Sequence, residues 1–237
     1  MEKHVKYGSL VAAFAVLTGA PVQAACRLAL ALAMDISSSV DQEEDKLQRL
    51  GLANALVAPE VVAAILSDPG QSVALAVFEW SGRYQQDVTL DWTMLESAAD
   101  VFAAAQTVRQ SRRRYAEFPT ALGFALGYAA GFLRTAPDCL FQVLDVSGDG
   151  VNNDGFAPYL AYRNFPLDDV TVNGLAIGGQ NDELWVYYRD ELIQGPGAFV
   201  ERAANFRDFE RAMRRKLVRE METRAIGMGA PLPMTGG

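Results

Sequence analysis

The sequence predicts an α/β protein with a doubly wound, mostly parallel six-stranded sheet, one antiparallel edge strand, and helices on both faces. Residues 28–34 form an uninterrupted apolar run, which is typical of a strand buried on both faces of a parallel sheet. Further apolar runs alternate with segments of helical periodicity along the chain. At 237 residues, half of them hydrophobic, the chain is large enough for one sizeable core, so we expect one domain.

The first half of the chain predicts two further strands and two helices. Helical spacing of apolar residues predicts a long helix ending near residue 57, and Pro59 restarts it over residues 60–66. Residues 72–78 predict a second buried strand, whereas the polar residues within 84–90 indicate an antiparallel edge strand. The next helix is expected to bury one face, formed by Leu95, Ala98, Phe102 and Ala105.

A second amphipathic helix is predicted after Thr120, with an inner face of Leu122, Ala125, Ala129 and Leu133. Glycines recur on it at four-residue spacing and predict a close approach to the sheet: Gly123, Gly127 and Gly131.

The second half then predicts strands over residues 140–146, 170–177 and 198–200, with a short helical stretch over residues 182–190. The last helix should begin after Asn205, and its apolar stripe is Phe206, Phe209, Met213, Leu217 and Met221.

The start of the chain resembles a cleaved secretory signal over residues 1–25. Two lysines precede an apolar segment, and small residues follow it. That segment is too short to span a bilayer, and no later segment does so. We therefore expect a periplasmic or secreted protein with a folded domain over residues 26–222 and a flexible tail over residues 223–237.

Charge and histidine content exclude several functions. The formal net charge of −8 argues against nucleic acid as a partner. The arginines at 112–114 are interpreted as a solvated loop, with a local contact to an acidic partner as the alternative. The only histidine, His4, lies in the predicted signal. A mature chain without histidine cannot form a Ser-His-Asp or Cys-His nucleophilic pair, or a zinc site of imidazoles.

The two cysteines are predicted to form a disulfide. Cys26 and Cys139 each stand just before a predicted strand, and an exported protein meets an oxidising environment. If those strands are parallel neighbours, their starting residues are adjacent. The alternative is two unpaired, buried thiols.

Polar residues directly follow the first buried strand. Asp35, Ser37 and Ser39 offer three hard oxygens at the carboxyl end of that strand, where open α/β sheets hold their ligands. Hard oxygens suit a small hard cation such as Mg²⁺. The alternative is a helix cap, since Asp41 and Glu44 have capping-box spacing.

With Thr120 before a helix and Asp149-Gly150 after a later strand, this pattern resembles the metal-ion-dependent adhesion site (MIDAS) of von Willebrand factor type A (VWA) domains. More narrowly, residues 146–150, 78–82 and 195–200 resemble a bacterial branch of exported proteins known as DUF1194.

The resemblance implies that Mg²⁺ or Mn²⁺ is held by five side chains, some of them through water: Asp35, Ser37, Ser39, Thr120 and Asp149. It also implies a protein partner whose Glu or Asp carboxylate completes the metal coordination. Asp145 and Glu79 are further acids near the crevice, with a supporting or purely structural role. The family usually has glycines before the threonine, whereas this chain has Glu117-Phe118-Pro119.

Two alternatives stay open from the sequence. Residues 148–153 resemble a signature of haloacid-dehalogenase-like phosphatases, in which Asp35 would be the nucleophile. Those enzymes need a second Asp two residues later as general acid, and Ser37 stands there. The other alternative is a structural domain without metal. The sequence does not identify the partner, the pathway or the oligomeric state.

Overall fold

The structure is a computed structural model that describes residues 25–178 and 182–226. Within these residues one six-stranded sheet has the order β3-β2-β1-β4-β5-β6. β3 is antiparallel to β2 at one edge, and the other neighbouring pairs are parallel. The predicted fold class is thus confirmed. The strands are β1 (Ala25–Asp35), β2 (Gln71–Trp80), β3 (Gln86–Leu95), β4 (Cys139–Gly148), β5 (Val170–Ile177) and β6 (Val200–Ala203).

Helices cover both faces of the sheet. The first, second, third and seventh pack on one face, and the fourth, fifth and sixth pack on the other. Their bounds are α1 (Gln42–Leu56), α2 (Pro59–Ile65), α3 (Ala98–Gln110), α4 (Leu122–Leu133), α5 (Pro158–Asn164), α6 (Glu183–Tyr187) and α7 (Phe209–Ile226). A π-helical turn (Tyr188–Leu192) follows α6, and a 3₁₀ turn (Phe206–Asp208) precedes α7.

The central strand β1 shows why the two faces differ. Its large side chains Leu30, Leu32 and Met34 join the core beneath α1 and α7, whereas Ala31 and Ala33 face the core beneath α4. Alternate side chains of a strand point to opposite faces, so the alternation of large and small residues sets the two core layers. Asp35 ends this strand, and its position is fixed by packing on both sides.

Most predicted elements are present, but the predicted inner face of α3 is wrong. Leu95 is the last residue of β3, Ala98 is exposed, and Phe102 is 56% exposed. Ser97 caps α3, so the helix begins later than the periodicity suggested. Its buried face is instead Val101, Ala104, Ala105 and Val108. The predicted apolar faces of α4 and of the last helical segment are confirmed, since all their members are buried.

The glycines of α4 do not approach the sheet as predicted. A Cβ at Gly123 would lie 2.0 Å from the carbonyl oxygen of Phe156, and one at Gly127 would lie 3.0 Å from the ring of Phe165. Both neighbours flank α5, a helix that the sequence analysis missed because seven residues are too few to show a period. Gly131 has open space around it.

The termini are only partly described. The predicted signal falls on residues 1–24, which lie outside the described residues, and on Ala25, where β1 begins. α7 continues to Ile226, past the predicted domain end at 222, and residues 227–237 lie outside the described part. No helix in the described ranges is long and apolar enough to cross a membrane.

A disulfide joins Cys26 and Cys139, as predicted. The two residues are register partners at the start of β1 and β4, and their Cα atoms are 4.4 Å apart. The bridge therefore ties the two central strands together at the edge opposite to Asp35.

Reduction of this bridge is expected to lower the free energy of unfolding by about 4 kcal/mol, because a cross-link over 113 residues restricts the unfolded chain. Urea unfolding with and without reductant measures the difference. In the Cys26→Ser/Cys139→Ser variant, reductant should have no effect. A wild-type midpoint that does not change on reduction would contradict the prediction.

Candidate functional site

The structure places the five predicted metal ligands on three loops at the carboxyl edge of the sheet. Asp35 ends β1 and the two serines follow it, Thr120 lies just before α4, and Asp149 follows β4. Because β1 and β4 are parallel neighbours, their following loops share one edge. The aspartate of β1, the first serine and the threonine are buried, whereas Ser39 is exposed.

Four of the five residues form one connected polar cluster. Ser39 Oγ donates a hydrogen bond to Asp149 Oδ1 at 2.7 Å, and the hydroxyl oxygens of Ser37 and Ser39 are 3.1 Å apart. The backbone N–H of Ser37 donates to Asp35 Oδ1 at 2.7 Å. The exposed serine leaves one side of this cluster open to solvent.

Thr120 is hydrogen-bonded to the loop after β4, which also carries Asp149. Its N–H donates to Asn153 Oδ1 at 2.9 Å, and its carbonyl oxygen accepts from the N–H of Asn153 at 2.9 Å. A Cβ added to Gly150 would lie 3.4 Å from Thr120 Oγ1. The threonine hydroxyl therefore lies beside the residue that follows Asp149.

The second carboxylate oxygen of Asp35 is buried and has no hydrogen-bond partner. Burial raises the pKa of Asp35 to about 7; the hydrogen bonds from Ser37 oppose this rise, and nearby Asp149 adds to it. A buried, unpartnered carboxylate oxygen is costly unless a cation or donor satisfies it. Two carboxylates and three hydroxyls fit a small hard divalent cation.

No group of three or more His, Cys, Asp or Glu side chains with the arrangement of a metal site occurs among residues 25–178 and 182–226. The candidate site has only two such residues, Asp35 and Asp149, and its other oxygens come from hydroxyls. A soft or borderline metal such as zinc prefers nitrogen and sulfur, which this site lacks.

Tyr188 is a buried residue of the site that the sequence analysis missed. Its hydroxyl also has no hydrogen-bond partner. A Cβ on Gly148 would lie 2.6 Å from Tyr188 Oη and 2.7 Å from Asp35 Oδ2, so only glycine leaves room between these two polar atoms. Burial, then the charges of Asp35 and Asp149, raise the pKa of Tyr188 well above its ordinary value, so its hydroxyl keeps its proton and can donate.

Arg113 holds the loop after β1, which corrects its interpretation as part of a solvated loop. Its guanidinium donates to the carbonyl oxygens of Ile36 at 2.7 Å, Ser37 at 2.8 Å and Val40 at 2.6 Å. Its neighbour Arg112 is exposed. The sequence gives no signal that separates these two arginines, because the contact joins segments more than 70 residues apart.

Two further contacts fix the loop. Gln48 is buried, and its Nε2 donates to the carbonyl oxygen of Asp35 at 2.9 Å. The N–H of Ser38 donates to the carbonyl oxygen of Phe118 at 2.8 Å, which joins the loop to the Glu117-Phe118-Pro119 segment.

Asp41 caps α1 with the predicted capping box, in which Glu44 takes part. The capping role therefore belongs to Asp41, and the Ser39 hydroxyl stays with Asp149.

Glu79 and Asp145 do not hydrogen-bond to any of the five residues, and each is held in a buried ion pair. Glu79 pairs with Arg49 on α1. Asp145 pairs with Lys216 on α7 at 2.9 Å, and that lysine also pairs with Glu220 at 2.7 Å. Burial raises the pKa of both Glu79 and Asp145, and the cations oppose the rise. These contacts favour the structural role over a role at the metal.

Comparison with known proteins gives a family and a fold. The family described as Protein of unknown function (DUF1194) matches residues 25–225. No curated protein matches the chain.

Among solved structures, proximal thread matrix protein 1 from the mussel byssus aligns with a TM-score of 0.60 and 14% identity, over 84% of this chain and 49% of that chain. Another structure of the mussel protein has a zinc-occupied MIDAS motif, with a TM-score of 0.56, 14% identity, and coverage of 84% and 47%. A von Willebrand factor type A protein from Catenulispora acidiphila has a TM-score of 0.57 and 19% identity, over 83% and 43%.

The pilus adhesin SpaC from Lactobacillus rhamnosus GG has a TM-score of 0.57 and 13% identity, over 85% of this chain and 31% of that chain. This chain thus spans about half, or less, of each of these structures. At such identities the likeness shows the fold, which is VWA-like.

Replacing Arg113 is expected to destabilise the protein through the loop after β1. Arg113→Ala removes the donors to three loop carbonyls and should lower the free energy of unfolding by about 2 kcal/mol. The matched control Arg112→Ala removes an exposed side chain and should change it by less than about 0.5 kcal/mol. Equal effects of the two substitutions in urea unfolding would refute the role of Arg113.

Replacing Asp35 by Asn is expected to stabilise the metal-free protein at alkaline pH. Because burial raises the pKa of Asp35 from 3.8 to about 7 on folding, the wild type loses stability as pH rises from about 4 to about 7. The neutral amide keeps an acceptor for the N–H of Ser37 and lacks this loss. In the presence of a chelator, the free energy of unfolding of Asp35→Asn should exceed that of the wild type by about 2–4 kcal/mol at pH 8. Near pH 4 the two values should be equal. A less stable variant at pH 8 would show that the carboxylate has a partner.

Proposed function

The chain belongs to the DUF1194 family, and we propose that it is an exported, non-enzymatic module that binds a protein partner through a divalent metal ion. The ion is Mg²⁺ or Mn²⁺. The partner supplies a Glu or Asp carboxylate that completes the coordination. The residues that hold the ion, directly or through water, are Asp35, Ser37, Ser39, Thr120 and Asp149.

The observation that carries this proposal is the buried, unpartnered Oδ2 of Asp35 beside a cluster of hydroxyls and a second carboxylate. Mg²⁺ takes six oxygens in a tight octahedron and keeps several waters. Asp35 and Asp149 neutralise the ion, and the hydroxyls add ligands without charge. A neutral, solvent-facing site leaves a water that a partner's carboxylate can replace.

The comparisons support a binding role. The mussel protein holds a metal at a motif of this class, although that metal is zinc, and another protein of this fold is a pilus adhesin. These proteins are distant in sequence, so they support the proposal through the fold alone. The Cys26–Cys139 disulfide supports export, because such bonds persist in oxidising compartments. We place the protein in the periplasm or outside the cell.

A phosphatase built on Asp35 lacks a proton donor. The general acid would stand at position 37, where the structure has a buried serine whose hydroxyl contacts that of Ser39. A serine hydroxyl does not protonate a leaving oxygen at neutral pH, since its proton is held too tightly. Binding with an exchangeable water needs no such group.

Calorimetric titration with Mg²⁺ or Mn²⁺ is expected to show one site in the wild type and none in Asp35→Ala. The control Asp168→Asn replaces an exposed aspartate just before β5, at the opposite edge of the sheet, and should bind as the wild type does. Equal metal binding by the wild type and Asp35→Ala would contradict the assignment of the metal site to Asp35. Mg²⁺-dependent hydrolysis of p-nitrophenyl phosphate that is lost in Asp35→Asn would show that the protein is a phosphatase and would contradict the proposed non-enzymatic function.

A further inference from the structure

A cavity of about 810 Å³ lies directly beside the loop that follows β1. Its volume falls within the range of about 300–1,000 Å³ that is usual for ligand sites. The loop contributes Ser38, which is exposed between the two serines of the proposed metal site. Val40 and Asp41 of the same loop also line it, and the rest of the lining comes from α1 and from the segment around the end of α3. We call it the arginine cavity, after Arg49, Arg109, Arg112 and Arg113 in its lining.

Three of these arginines have no carboxylate partner within the described residues. Arg109 donates to the amide oxygen of Asn54 at 2.6 Å, and Arg113 donates to backbone carbonyls. Arg112 is exposed and makes no ion pair in the described part of the chain. Carbonyl and amide oxygens satisfy the N–H donors of a guanidinium but carry no full negative charge, so Arg109 and Arg112 are not neutralised by a carboxylate among the residues described. The charge of Arg113 is partly balanced by Asp35, whose pKa it lowers.

The acids in the lining are already engaged. Asp41 accepts the N–H groups of Glu43 and Glu44 at the start of α1, and Asp45 pairs with Arg49 at 2.8 Å. The lining holds four arginines and Lys46 against two acids, Asp41 and Asp45, so the cavity has an excess of positive charge in a chain whose net charge is −8. Such a local patch attracts an acidic ligand that the rest of the surface repels.

We propose that the arginine cavity binds a second acidic side chain of the same partner segment whose first carboxylate reaches the metal. The inference rests on the proposed function and specifies the partner as an acidic peptide segment. Ser38 lies at the boundary of the two sites, so one segment can occupy both. The ion with its two aspartates is neutral, and the arginines supply the positive charge that selects an acidic neighbour over a neutral one.

Arg112 is the residue to test, because it is exposed, lines the cavity and holds no other element in place. The matched control is Arg134, the exposed C-cap residue of α4. Because α4 begins at the carboxyl edge of the sheet, Arg134 lies at the far end of this helix from the site. Two probes separate the two sites: acetate offers one carboxylate for the metal, and hexaglutamate offers several in a row. Each is titrated in Mg²⁺ against the wild type, Arg112→Glu and Arg134→Glu, and Mg²⁺ affinity is measured in parallel.

We expect Arg112→Glu to weaken hexaglutamate binding at least tenfold and to leave acetate and Mg²⁺ binding within about twofold of the wild type. Arg134→Glu should leave all three unchanged. If hexaglutamate binding is equal in the three proteins while Mg²⁺ still binds, the arginine cavity does not bind an acidic side chain. The proposed metal site would not be affected by that result. Failure of the wild type to bind Mg²⁺ would overturn the proposed function instead. Tighter, Arg112-dependent binding of single-stranded oligothymidylate than of hexaglutamate would overturn the acidic-peptide assignment.

Discussion

The burial of a carboxylate with one free oxygen, at the end of the central strand, is the constraint on which the rest of the site depends. Asp35 cannot move toward solvent, because β1 is packed on both faces and pinned at its other end by the disulfide. Its Oδ2 lacks a partner, and Gly148 keeps the space beside it open. A buried carboxyl group takes up a proton unless a cation or a donor compensates for its charge, and a divalent ion would compensate most directly.

The surrounding contacts hold the backbone that carries the proposed ligands. Arg113 and Gln48 hold the backbone of the loop after β1, and Ser38 joins that loop to the carbonyl of Phe118. None of these contacts involves Asp35 Oδ2. Pro119 lies next to the joined carbonyl, so the approach to Thr120 is stiffer than glycines would make it. Under the proposed function, these contacts would order the site before the ion binds, which would lower the entropy lost on binding.

The sequence predicts the parts of this structure that depend on local pattern. The run 28–34 and the stripe of α7 follow from strand and helix periodicity. The five candidate ligands, by contrast, come from the resemblance to VWA domains. Arg113 and Tyr188 could not be predicted, because their roles depend on contacts between segments far apart in the chain. The error at Phe102 has a similar cause, since the end of β3 and the cap at Ser97 set the phase of α3.

The most direct test of the proposed metal site is anomalous diffraction from crystals of the protein grown with Mn²⁺. A single strong peak beside Asp35 Oδ2, contacting the serine hydroxyls and Asp149 directly or through one water, is the predicted result. The same crystals grown from Asp35→Asn should lack the peak. A peak elsewhere on the chain, or none at saturating Mn²⁺, would contradict the account of Asp35 as the centre of a metal-dependent binding site.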